Sequence, residues 1–246
     1  MDSVMDSDTI QETQTVSLEP IVFALAKTPL REINRFLHHD IGDIQNRTIC
    51  IQNPDGAHNI AVGVDGEVNI EILGHTGYYA AGMNQYANVT ILGNAGPGVA
   101  ENMMSGRVCV KGFASVSAGA SAQGGLLVIE GNAGLRCGIS LKGGDIVVGG
   151  SVGSFSAFMA QAGRIVICGD AGDALGDSLY EAIIYVRGNI KSLGADAQIE
   201  PMSETDLQTV SELLAEANLC FDAKDFKRVA SAKQLYHWNA DANQEY

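Results

Sequence analysis

A period of 19 residues predicts the fold class of this chain: an all-β solenoid, a single-stranded parallel β-helix of about seven to eight coils with short flanking α-helices. Three observations predict it. Gly74, Gly93, Gly112, Gly131, Gly150, Gly169 and Gly188 recur at intervals of 19. Two and four residues before each marker glycine the side chain is apolar, from Ile70 and Ile72 through Leu127 and Ile129 to Ile184 and Val186. The residue between them varies (Glu71, Thr90, Cys109, Val128, Val147, Val166, Tyr185), so the alternation has a period of two and one face is sheltered. A glycine-rich unit with a single strand cannot bury that face alone, and it must stack on its neighbours.

The elements follow in chain order. Residues 1–15 read as a disordered acidic tail, and residues 16–44 as a strand and helix cap. Within the cap, "TPLREINRFLHH" offers Thr28 as N-cap, Pro29 at the first helical position and Glu32 in the first turn, with Ile33, Phe36 and Leu37 on one side to about His39. Residues 45–198 form the solenoid domain. "RTICIQNPDG" supplies the Ile49 and Ile51 alternation about two residues out of phase and predicts a slightly longer first coil. Strands follow at Val68 to Leu73, Val89 to Leu92, Val108 to Lys111, Leu127 to Glu130, Ile146 to Gly149, Ile165 to Cys168 and Ile184 to Arg187. Seven residues after each marker stands a small residue: Ala81, Ala100, Gly119, Gly138, Ala157, Gly176 and Ala195. Gly106, Gly125, Gly144 and Gly163 mark a further corner.

The marker glycines are expected to serve left-handed corners and close coil-to-coil approach. No helix follows them to aim its dipole at an anion, so the loops do not read as phosphate sites. Asp170 and Asp173 are expected to form no ladder with neighbouring coils, which argues against a calcium stack.

Residues 199–246 are expected to hold a helix and a partner-docking tail. Ser203 and Asp206 make a capping box before a helix to about Asn218, with Leu207, Val210, Leu213, Leu214 and Ala217 apolar. Either flanking helix could plug the column. Phe226, Tyr236 and Trp238 lie among cations in "FKRVASAKQLYHW" and are the residues expected to dock a partner; packing back on their own column is the open alternative.

Charge limits the partners. The net charge of −14 divides into −7 over residues 1–69, −1 over residues 70–192 (eight acids, seven bases) and −6 over residues 193–246. An acidic chain repels nucleic-acid backbones and anionic lipid, so neither is expected as a partner. No apolar run is long enough to span a membrane and no basic leader opens the chain, which makes a cytoplasmic location the simplest expectation. The five cysteines are widely spaced without a C-x-x-C pair, and the five histidines show no H-E-x-x-H pattern. "HHD" at His38 to Asp40 reads as a helix C-terminal turn rather than a metal site. No catalytic, cofactor-binding or metal-ligating residue is predicted. A polysaccharide-lyase groove would need Asp, Lys, Arg or aromatics on one face, and a hexapeptide acyltransferase three aliphatic hexads per coil; neither pattern is present.

The recurring "GNAG", "GGDIVV" and "IEGNAG" resemble the GXGXG β-helix domain found in the glutamate synthase large subunit and in the β-helix component of formylmethanofuran dehydrogenase, over roughly residues 45–195. With the flanks "TPLREIN" and "FKRVASAKQLYHW" the chain looks most like the small β-helix subunit of the N-methylglutamate synthases, also called methylamine-glutamate N-methyltransferases. The resemblance implies a right-handed helix and a scaffold without catalytic residues of its own. It also implies two partners: an amidotransferase-like subunit, and a barrel subunit carrying FMN and an iron–sulfur cluster. The reaction implied is exchange of the amino group of glutamate for methylamine, giving N-methylglutamate and ammonia.

Overall fold

Side-chain alternation and β-branching convert the repeat into rungs of one sheet. The computed structural model describes residues 19–44 and 47–233. Among these, nine strands run parallel in chain order: β1 (Ile21–Ala24), β2 (Ile49–Gln52), β3 (Asn69–Leu73), β4 (Asn88–Ile91), β5 (Arg107–Val110), β6 (Leu126–Ile129), β7 (Lys142–Val148), β8 (Ala162–Ile167) and β9 (Ile183–Val186). β10 (Ala197–Glu200) and β11 (Lys227–Ser231) complete the sheet, β11 antiparallel to β9 and β10 antiparallel to β11. From β3 to β9 the rungs pair with the residue 19 further on, as Ile70↔Val89, Val108↔Leu127 and Ile165↔Ile184 show, except that Lys142 pairs with Ala162, 20 residues on, ahead of an irregularity in β7. Ile49 pairs with Ile70, so the first coil is two residues longer, as its phase predicts.

Two further rows close each coil. Two residues after each marker, Thr76, Ala95, Ala114, Ala133, Val152, Ala171 and Ile190 bridge successively in parallel. The third side is a corner of left-handed residues at alternate positions, such as Ser117, Gly119 and Ser121, or Arg136, Gly138 and Ser140. Its N–H groups donate alternately to the coil after and the coil before: Arg136 to the Ser154 carbonyl at 3.0 Å, Gly138 to that of Ala118 at 2.8 Å, Ser140 to that of Phe158 at 2.8 Å. The small-residue slot is thereby explained. Gly138 has a φ of +67°, and a Cβ there would lie 2.5 Å from Ile165 Cδ1 of the next coil.

The marker glycines line up as a column. Gly112 N–H donates to the Gly93 carbonyl and Gly131 N–H to that of Gly112, both at 3.0 Å, and Gly150, Gly169 and Gly188 continue the series. Of the two reasons expected for glycine, close approach holds and the left-handed corner does not. Of the seven markers only Gly74 has a positive φ, so the others are needed for close approach and not for a left-handed corner.

The dry interior holds Ile70, Ile72, Val108, Ile129, Ile146, Ile165 and their counterparts, each side chain worth about 1.5–3 kcal/mol on burial. Helix α1 (Leu30–His39) plugs one end, its Ile33 and Leu37 fully buried in that core. Its boundary is one residue later than predicted: Pro29 occupies the N-cap with extended ψ and no side chain caps the helix, so Thr28 does not serve.

Helix α2 (Glu204–Glu216) has the expected Ser203–Asp206 capping box but does not plug the column. It lies along the outside of the sheet, with Val210, Leu213, Leu214 and Ala217 against Cys109, Val128, Val147, Val166 and Tyr185. The varying middle position of the strands is thus covered by the chain's own helix from β5 to β9, and open only at Glu71 and Thr90 on β3 and β4. The helix ends two residues earlier than predicted because Asn218 turns left-handed at φ +57°. The last coil departs from the repeat: Leu175 bridges Leu193, 18 residues on, so Ala195 falls outside the small-residue slot and is exposed.

Candidate functional site

Polar side chains on the column chiefly bind the next coil. One residue after the marker, His75 Nδ1 accepts the Asn94 N–H at 2.9 Å and Asn94 Oδ1 accepts the Phe113 N–H at 3.1 Å. Higher up, Asn132 Oδ1 accepts from Ser151, Ser151 Oγ from Asp170, and Asp170 Oδ1 from Asn189, at 2.7–2.9 Å. Asp170 therefore does belong to a ladder, contrary to expectation, but one in which side-chain oxygens accept backbone N–H groups of the next coil. Asp173 likewise pairs with Lys191 Nζ at 2.7 Å, and its N–H donates to Ser154 Oγ at 3.2 Å. Side chains of Asn, Ser and Asp at one phase of the repeat were the sequence signal for this.

The ends are clamped in the same way. Asn34 on α1 donates to the Asn59 carbonyl at 2.8 Å and accepts the Ala61 N–H at 3.1 Å, satisfying the first left-handed corner, which has no coil before it. His38, half of the pair weighed as a metal motif, sits 2.7 Å from the Val62 carbonyl. Among the described residues no group of three or more His, Cys, Asp or Glu could hold a metal ion.

Beneath α2 lies a largely buried polar network. The Tyr185 hydroxyl donates to Asp206 Oδ1 at 2.7 Å, the Ser203 N–H donates to Asp206 Oδ2 at 2.9 Å, and Arg228 Nε donates to Asp206 Oδ1 at 3.2 Å while its Nη1 pairs with Glu200. Burial pushes the Asp206 carboxyl up, but hydrogen bonds from Ser203 and Tyr185 outweigh it and hold the group below its ordinary value. Burial first, then Asp206, pushes the Tyr185 phenol up. Arg107 Nη2 donates to the Glu216 carbonyl at 2.8 Å, at the negative end of the α2 dipole. The network fastens helix to sheet, and its members face one another rather than a cavity.

The cysteines are dispersed. Cys50, Cys109, Cys137 and Cys168 are buried and Cys220 is exposed. Burial pushes the Cys137 and Cys168 thiols up to about 12, far from the range of a nucleophile at neutral pH.

Of the residues expected to dock a partner, Phe226 is only 4% exposed and packs with α2 over the outer sheet face, so its ring is turned inward. Tyr236 and Trp238 lie outside the described residues, as does the 1–15 tail. Exposed apolar side chains occur at several phases of the repeat, among them Leu73, Met83, Tyr86, Leu92, Phe113 and Met159, and at a corner four and five residues after the markers, where Tyr78, Tyr79, Val116, Leu135 and Phe155 face outward. Their alignment at intervals of 19 was legible in the sequence, but which corner faces solvent was not. Among the described residues no helix is long and apolar enough to cross a membrane.

Fold and site together define a capped parallel β-solenoid of 19-residue coils whose polar groups stitch one coil to the next. No family model matches the sequence. Protein GlxC of Rhizobium meliloti (strain 1021) is 54% identical over 230 residues, spanning 92% of this chain and 99% of that protein. At that identity and coverage the chain belongs to the GlxC family.

Proposed function

We propose that this chain is the non-catalytic scaffold subunit of a glutamate-synthase-related complex. It would hold an amidotransferase-like subunit and a flavin subunit in register. The near full-length similarity to Protein GlxC, in a chain whose repeat resembles the glutamate synthase β-helix domain, carries the reading. The hydrogen-bonded column supports it: eight stacked strands, β2 to β9, make a stiff rod of about 34–38 Å, long enough to separate two globular subunits. FMN and the iron–sulfur cluster belong on a partner in this reading, since the scattered, mostly buried cysteines here do not fit a cluster. The particular reaction we propose is that of an N-methylglutamate synthase, L-glutamate and methylamine giving N-methyl-L-glutamate and ammonia.

Co-expression with the two larger subunits tests the proposal. The three should purify together and form N-methylglutamate from glutamate and methylamine, while the chain alone shows no turnover. Turnover by the isolated chain, or its failure to join either subunit, would overturn the scaffold role. A complex that forms but does not accept methylamine would overturn only the reaction.

A further inference from the structure

Helix α1 carries opposite chemistry on its two faces. Ile33 and Leu37 are buried in the column, while Arg31, Arg35, His38 and His39 are exposed at its end. Residues 27–39 hold three bases and one acid, a local charge of +2 in a chain of net −14. Those bases have no partner. Lys27, Arg31 and Arg35 make no ion pair or side-chain hydrogen bond with another described residue, and Glu32 pairs with neither arginine. By contrast Lys111, Arg164, Arg187, Lys191, Arg228 and Lys233 each meet a carboxylate.

Local folding does not ask for cations here. Arg31 stands in the first turn, at the positive end of the helix dipole where an acid is favoured, and Arg35 lies four residues on, so two like charges share one face. The face is also shaped. Leu30, Arg31, Asn34, Arg35, His38 and His39 line an open groove beside Asn59, and no carboxylate belongs to its lining. Asp65 and Glu67 line a separate groove that shares only His38 and His39 with it. Hydrogen bonds to the first coil brace the helix, from Asn34 Nδ2 to the Asn59 carbonyl at 2.8 Å and from His38 Nε2 to the Val62 carbonyl at 2.7 Å. A braced surface loses little conformational entropy on binding.

We propose that this end face binds an extended acidic peptide segment of a partner protein, with carboxylates at alternate residues. Side chains one helical turn apart leave the helix about 5–6 Å from each other. Those on one face of an extended strand repeat at about 6.6–6.8 Å. Two successive carboxylates of the segment therefore each meet one guanidinium, whose planar fork receives a carboxylate through two N–H groups. Leu30 gives the segment an apolar contact beside the charges. Nucleic acid suits the face less well, because a phosphate backbone needs a longer run of cations and Asp65 and Glu67 stand in the adjoining groove. The proposal names a ligand chemistry and does not depend on the reaction or the subunits proposed above.

The test follows the fluorescence anisotropy of a labelled peptide of alternating aspartate and alanine on the full chain at low salt, with the asparagine–alanine peptide as reference. Wild type should bind the first peptide and not the second. The double variant Arg31→Glu and Arg35→Glu should lose at least tenfold in affinity. Arg136→Glu with Lys224→Glu changes the net charge equally at two exposed cations elsewhere and should stay within twofold. Circular dichroism should give both variants a melting temperature close to wild type, and Arg31→Gln with Arg35→Gln carries the same test should the glutamate pair melt early. No binding by wild type, unchanged affinity in the arginine pair, or an equal loss in both pairs would overturn the proposal. Tighter binding of a short single-stranded DNA, lost with the same arginines, would assign the face to phosphates and overturn it. A tenfold gain in peptide affinity on replacing Asp2, Asp6, Asp8 and Glu12 by their amides would assign the face to the chain's own first residues and overturn it as well.

Discussion

Replacing Gly131 by alanine separates the two reasons a repeat can demand glycine. A Cβ built on Gly131 lies 2.8 Å from the Gly112 carbonyl oxygen, 3.1 Å from its carbon and 3.2 Å from the Phe113 nitrogen. Ordinary contact is about 3.5 Å or more, and all three atoms are backbone of the coil below. That backbone cannot swing aside, because Gly131 donates to Gly112 and accepts from Gly150, both at 3.0 Å. Relief requires lifting one rung off another, an overpacking cost of about 2–3 kcal/mol. At Gly138 the obstacle is different. Its φ is +67° and its Cβ would meet side-chain tips, Ile165 Cδ1 at 2.5 Å and Ile146 Cδ1 at 3.3 Å, while Ala81, Ala100 and Ala157 already occupy that slot at φ +53°, +55° and +58°. Gly138→Ala should therefore cost about 1 kcal/mol. For a chain of this size 1 kcal/mol moves the melting temperature by roughly 2–4 °C, so far-UV circular dichroism should record a drop of about 4–12 °C for Gly131→Ala and about 2–4 °C for Gly138→Ala. Equal losses, or the reverse order, would refute close approach as the role of the marker glycines.

Three other expectations follow. Ile129→Asp puts an unpaired carboxylate where the side chain is fully buried, and urea unfolding should show a loss of several kcal/mol; a wild-type midpoint would mean the inward phase is misassigned. Asp206 has a depressed folded pKa, so its stabilisation is present above the ordinary carboxylate value of about 3.9 and lost as pH falls through the folded one. Protection factors of the α2 amides, corrected for the intrinsic exchange rate at each pH, should fall on acidification in wild type, and Asp206→Asn should remove that part of the pH dependence. Thiol titration of the native chain at pH 8 should modify Cys220 rapidly and the four buried cysteines only after unfolding; rapid labelling of two or more would contradict their burial.

The fold was largely legible in the residue order. A strand carries its side-chain direction locally, and a 19-residue interval between apolar pairs leaves stacked rungs as the only way to bury them, down to the longer first coil at Ile49 and Ile51. Tertiary structure decided what local pattern could not. The α2 stripe of Val210, Leu213 and Leu214 is compatible with plugging an end or covering a face, and only the position of Tyr185 relative to Asp206 selects the outer sheet. Phe226 follows α2 inward for the same reason. The marker glycines show the limit most clearly: their period is written in the sequence, but whether a glycine is needed for its dihedral angle or for the distance to the coil below depends on atoms 19 residues away. The same distance hides the exposed corner, since Leu135 and Ser154 occupy one slot and only the assembled column shows that this slot faces water.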